Sequence, residues 1–182
     1  STSKKVSFAI ALRTGTTYSL YSLGVKSGTS TAEFMYKNFT TSASNDLSDD
    51  GWTTTAGNQS SGGTIYPNLF VYYKKTGFLY WAHGGSQIGR YHPSGSGLTD
   101  SHQALTFTDI GQGLVHSKDD VLYIPYYDSA SGTSAIAKND NGSWNTTAFT
   151  VPKGYRAVSI CEYGNYLAIA CAPVFLNAGN SI

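Results

Sequence analysis

The sequence predicts an all-β chain, and three observations support that class. Aromatic residues make up 14% of the 182 positions while charged residues make up only 13%, and the 14 Tyr outnumber every helix-favouring bulky side chain such as the single Met. Tyr, Thr, Val and Ile suit the pleated surface of a strand, whereas the 20 Gly and the many Asn and Ser supply turns. Short apolar runs bounded by those turn residues then return at an even spacing, which bears on architecture more strongly than composition does.

The elements follow in order. Residues 6–26, VSFAIALRTGTTYSLYSLGVK, form a hairpin pattern, with AEFMYKNF at 32–39 as its third strand and a Ser/Thr/Asn/Asp-rich insertion around 40–50. In LFVYYKKTGFLYWAHGGSQIGRYH, strands are expected at 69–73, 78–82 and 87–91, separated by Lys-Lys-Thr-Gly and Gly-Gly turns. GLVHSKDDVLYIPYYDSASGTSAIAKNDNGSW, from 113, gives the same succession, and AVSICEYGNYLAIACAPVFLNAGNSI begins it again, with a third strand near 178–180. The anchors Leu79-Tyr80, Leu122-Tyr123 and Tyr166-Leu167 recur roughly every 44 residues. SDDGWTTT (48–55) and NDNGSWNTT (139–147) echo each other as turn-plus-strand segments, and their threonine-rich strands suit a solvent-facing outer edge. One domain over 1–182 is expected, with units at about 6–60, 67–110, 111–155 and 156–182.

Apolar hairpins at this period resemble the blades of a β-propeller. The resemblance implies four-stranded antiparallel blades, about three and a half of them, in an incomplete ring; a β-sandwich is the alternative. TGFLYWAHGGSQIGRYH and EYGNYLAIAC are similar in style to virion-associated propellers of tailed bacteriophages. That likeness implies a non-catalytic structural or recognition module in an extracellular or virion setting, contacting other protein chains or a receptor. The part-filled ring predicts completion by residues after Ile182 or by a second chain, because open sheet edges are a liability.

The chemistry expected from the residues is sparse. A net charge of +1 gives no footprint for nucleic acid, and no apolar run is long enough for a membrane span. No charged-then-apolar targeting segment is recognisable. Cys161 and Cys171 face opposite sides of a hairpin turning at Gly164-Asn165, with 171 opposite 158, so two free, buried, inert thiols are expected. Arg13, Arg90 and Arg156 fall at different levels of the repeat, which argues against a carboxylate-binding cluster. Glu162 and Asp119 read as solvated turn residues, and His116 as a core histidine. The four histidines lack metal-ligand spacing, so no metal, cofactor or catalytic residue is expected. Four N-x-S/T triplets begin at Asn38, Asn58, Asn141 and Asn145, which a Ser/Thr-rich chain produces by chance. The candidate ligand-binding residues are Tyr126, Tyr127 and Asp128 in one loop region and Trp81 and His83 in another. Both regions follow an apolar second strand, and aromatic groups beside polar ones suit glycans. A secreted glycan-binding lectin is the second reading and a propeller-type glycosidase the third.

Overall fold

The computed structural model describes residues 5–14, 17–25, 32–40, 53–54, 65–84, 86–93 and 99–174. They form antiparallel strands with no helix among them, so the all-β expectation holds. Two compact units divide the chain, Ser1–Ala104 and Leu105–Ile182. The expected third strand at 178–180, most of the insertion at 40–50, and Trp52 lie outside the described residues.

The first unit contains two four-stranded sheets, each running through its strands in chain order. One is β1 (Lys5–Thr14), β2 (Thr17–Val25), β3 (Ala32–Thr40) and β4 (Thr53–Thr54); the other is β5 (Ile65–Tyr73), β6 (Phe78–His83), β7 (Gln87–Tyr91) and β8 (Thr99–Ala104). A shared aromatic core joins them: Tyr21 of the first sheet packs with Phe70, Leu79, Trp81 and Tyr91 of the second. The Tyr21 ring lies 5.9 Å from that of Tyr36 and 6.1 Å from that of Tyr91. Each such side chain removed from water contributes about 1.5–3 kcal/mol. Gly89, paired with Trp81 across β6 and β7, makes the packing possible, because a Cβ there would fall 2.5 Å from the indole.

The second unit is built around β11 (Val121–Asp128), buried along nearly its whole length. β12 (Thr133–Asp140) lies against one edge, and β13 (Ser143–Thr150) follows it across a turn whose Asn141 and Gly142 both have positive φ. The side chains of β13 are largely exposed, as the threonine-rich pattern predicts for an outer strand. The other edge of β11 meets two short pieces, β9 (Asp109–Ile110) and β10 (Leu114–His116). Pro125 explains the interruption. It has no N–H to give to a ladder, and the pairing breaks beside it, leaving a single bond from the Gly111 N–H to the Pro125 carbonyl at 2.8 Å.

β14 (Tyr155–Tyr163) and β15 (Tyr166–Pro173) form a two-stranded sheet. Ala157 and Ile160 of β14 pack on Val121, Tyr123 and Ile136. The contact is close, since a Cβ on Gly111 would stand 2.7 Å from both the Pro125 ring and the Val158 carbonyl oxygen. A bulge between Ala157 and Ser159 sets Cys171 opposite Ala157 rather than 158, while Cys161 faces Ala168. Both thiols are free, but they are exposed rather than buried. The physical reason is that this hairpin packs through little more than Ala157 and Ile160, so its apolar composition does not translate into burial.

Candidate functional site

The chemistry of the second unit gathers where β10 turns into β11. His116 ends β10, and its carbonyl accepts the Asp120 N–H at 2.9 Å, closing a turn in which Asp120 takes a positive φ. That turn brings the Asp119 carboxylate back onto the histidine, with Oδ1 2.9 Å from His116 Nδ1. The other oxygen, Oδ2, accepts the Tyr123 hydroxyl at 3.0 Å. Partial burial pushes the Asp119 carboxyl up, but the hydrogen bonds from His116 and Tyr123 outweigh it and hold it below its ordinary value. An ionised Asp119 fixes Nδ1 of His116 as the donor. Nε2 is buried and has no hydrogen-bond partner among the described residues.

Glu162, near the end of β14, clasps the same turn. One carboxylate oxygen accepts the Ser117 N–H, and the other accepts the Ser117 hydroxyl at 2.9 Å. Those bonds, the backbone one first, hold the Glu162 carboxyl below its ordinary value. The charges of His116 and Asp119 also act on Glu162, so the three groups lie within electrostatic reach of one another. A cavity of about 310 Å³ is lined by His116, Asp119, Tyr123, Phe149, Asn165 and Tyr166. Another, of about 480 Å³, takes in Ser117 and Glu162. Tyr166 is 74% exposed and Phe149 49%, which leaves apolar ring surface available at the first cavity.

The residues singled out from sequence are arranged differently. Trp81 and His83 belong to the first unit, where Trp81 is fully buried in the core and His83 is buried at the end of β6. Tyr126 is buried in β11, and burial followed by the Asp128 charge pushes its phenol up. Asp128 is committed to its own turn: it accepts the Ser131 hydroxyl at 2.6 Å and the N–H groups of Ala130 and Ser131 at 3.1 and 3.3 Å. Those bonds, the Ser131 hydroxyl first, hold its carboxyl low. Tyr127 lines a cavity of about 320 Å³ beside Ser129 and Arg156. The arginines are engaged locally: Arg13 over Tyr18 at 5.5 Å, Arg90 over Phe78 at 4.4 Å, and Arg156 with Asp109 at 3.2 Å.

Asp119 does lie in a turn and His116 is buried, as the sequence suggests; what the structure adds is the bond between Glu162 of β14 and Ser117 of that turn. Ser117 directly follows β10 and Glu162 lies one residue before the end of β14, so each stands beside a hairpin turn.

No family model matches the chain, and no curated protein matches it. Among solved structures, an exo-β-1,3-galactanase from Phanerochaete chrysosporium, crystallised with β-1,3-galactotriose, shares the fold with a TM-score of 0.50 and 9% identity. The fold likeness is to a glycosidase. It covers 92% of this chain and 43% of the galactanase, so the chain spans less than half the length of that protein. The expectation of a non-catalytic virion module is corrected on this finding, and the expectation that the chain is not an enzyme loses its support.

Proposed function

We propose that the chain is part of a carbohydrate-processing β-propeller, with its four-stranded sheets as blades, and that its second unit contributes a glycan cleft. The observation that carries this reading is the Asp119 carboxylate, bonded to His116 and Tyr123 at the wall of a cavity beside exposed aromatic rings, with Glu162 bonded to the nearby Ser117. Tyr166 and Phe149 supply faces on which a sugar ring can lie, and Asn165 supplies a side-chain amide for its hydroxyls. The fold shared with a galactanase adds weight to a glycoside substrate.

The roles follow from the hydrogen bonding. Glycoside cleavage passes through a transition state with positive charge on the sugar ring, which carboxylates stabilise while a second group handles the leaving-group proton. Asp119 and Glu162 are both held ionised, so they suit charge stabilisation and hydroxyl binding rather than proton donation. His116 keeps Nε2 buried away from the cleft, so it is a positioning residue that holds the Asp119 carboxylate in place through Nδ1.

Incubating the chain with β-1,3-galactan and a panel of other neutral glycans tests the proposal. Release of sugar that is lost in Asp119→Asn and His116→Gln, both still folded by circular dichroism, is the expected result. No turnover and no binding of any panel member by the folded chain would overturn it.

A further inference from the structure

The hairpin tip joining β14 to β15 reads Tyr163-Gly164-Asn165-Tyr166, and only its second half lines the cavity beside Asp119. Tyr163 stands outside that lining. It pairs directly with Tyr166 across the two-residue turn. Side chains directly opposite each other on a ladder project from the same face, with Cβ atoms about 4.5–5.5 Å apart. Both rings are left in solvent, Tyr163 at 75% and Tyr166 at 74% exposure. Gly164 takes a positive φ of 59° to make the turn, and a Cβ there would meet no described atom within 4 Å. The tip therefore projects clear of its described neighbours.

Adjacent exposed rings form apolar surface that a ligand with an apolar face of its own can cover. The surroundings decide what that ligand is. No Lys, Arg, Asp or Glu occurs from Tyr163 to Pro173. The cavity lining that Tyr166 shares contains Asp119 but no Lys or Arg, so an acidic ligand would meet a carboxylate with no lining cation to offset it. Asn165 sits between the two tyrosines and lines the cavity, and its amide both donates and accepts, which suits hydroxyls. Aromatic faces and a hydroxyl-binding amide without net charge match a neutral sugar. The cavity measures about 310 Å³, at the small end of the range of about 300–1,000 Å³ for ligand sites. A glycan chain that enters it extends beyond it, and the tyrosine pair continues its wall.

We infer that Tyr163 and Tyr166 form a subsite for a further sugar unit outside the cavity, so that the ligand is a neutral oligosaccharide chain rather than a single sugar. The choice of a sugar rests on the proposed function; the subsite rests on the hairpin tip. Titration calorimetry of the full chain with β-1,3-galactopentaose, xylopentaose, cellopentaose and pentagalacturonate, each beside its own monosaccharide, tests it. At least one neutral pentasaccharide should bind roughly tenfold or more tightly than its monosaccharide. Tyr163→Ala should remove most of that gain and leave monosaccharide affinity unchanged, while Tyr163→Phe should retain it, because the ring makes the contact. Tyr163 is exposed, so both variants should stay folded. Equal affinity for every pentasaccharide and its monosaccharide, or indifference to Tyr163→Ala, overturns the inference. Pentagalacturonate binding as tightly as the neutral chains overturns the neutral assignment. Binding that depends on length and on Tyr163, without turnover, removes cleavage from the proposed function and leaves the subsite standing. Turnover without either dependence keeps the proposed function and overturns the subsite, and no binding at all overturns both.

Discussion

Strand β11 starts just after Asp119 and ends at Asp128, and the two aspartates have opposite relations to their surroundings. Asp128 faces its own turn, and three hydrogen bonds from Ala130 and Ser131 consume its carboxylate. Asp119 lies in the turn between β10 and β11, orienting His116 with one oxygen and holding Tyr123 with the other at the wall of a cavity. Both carboxyls are held low, so titration alone would not tell them apart. The partners do. Both carboxylates bond to neighbours two to four residues away, but those of Asp119 are the side chains of a buried histidine and of a tyrosine at a cavity wall, whereas those of Asp128 belong to its own turn.

The largest contrast should come from exchanging the charge at each end. Asp119→Asn is expected to lower glycan turnover by roughly a hundredfold or more, the scale of lost electrostatic stabilisation of the transition state. Asp128→Asn should leave initial rates near those of the parent chain. Equal effects from the two substitutions would remove the distinction between the ends.

Gly111→Ala tests whether close approach of β14 holds the Glu162 end in place. The added methyl meets the Val158 carbonyl oxygen at 2.7 Å, and such overpacking costs about 1–3 kcal/mol in denaturant unfolding. Glu162→Gln should act more gently. It keeps the shape but weakens the bonds to Ser117, and a several-fold loss of glycan affinity is expected by calorimetry.

The smallest effects are those of pH, and they separate the two units. Asp119, Asp128 and Glu162 all lie below their ordinary values of 3.8 and 4.5. Their unfolded forms take up protons first, so stability present above pH 4.5 is lost as pH falls through the lowered folded values. In the first unit, burial and then the Arg90 charge hold His102 below 6.5. Its folded form resists protonation, so that contribution is complete above pH 6.5 and declines as pH drops toward the lowered value. Hydrogen exchange followed residue by residue should show the first unit weakening at higher pH than the second.

Much of the fold was legible in the chain. The apolar runs at 69–73, 78–82 and 87–91 lie within β5, β6 and β7, and the Asn141-Gly142 and Gly164-Asn165 signals both mark real turns. Local turn chemistry and period-2 patterning are short-range properties, which is why they can be read directly. The site was less legible because it depends on contacts between residues 45 positions apart, such as Ser117 with Glu162. Aromatic content misled in the same way: Trp81 and Tyr126 looked like loop recognition groups, but both are buried, where large rings contribute most to a core. Exposed thiols at Cys161 and Cys171 were missed because an apolar strand sequence does not reveal how many neighbours will cover it.

Chemical-shift mapping of β-1,3-galactotriose on the labelled chain tests the central claim most directly. Perturbations concentrated at His116, Tyr123, Asn165 and Tyr166, with residues 127–131 unmoved, are the expected result. Shifts confined to the Asp128 turn, or none at either end of β11, would contradict it.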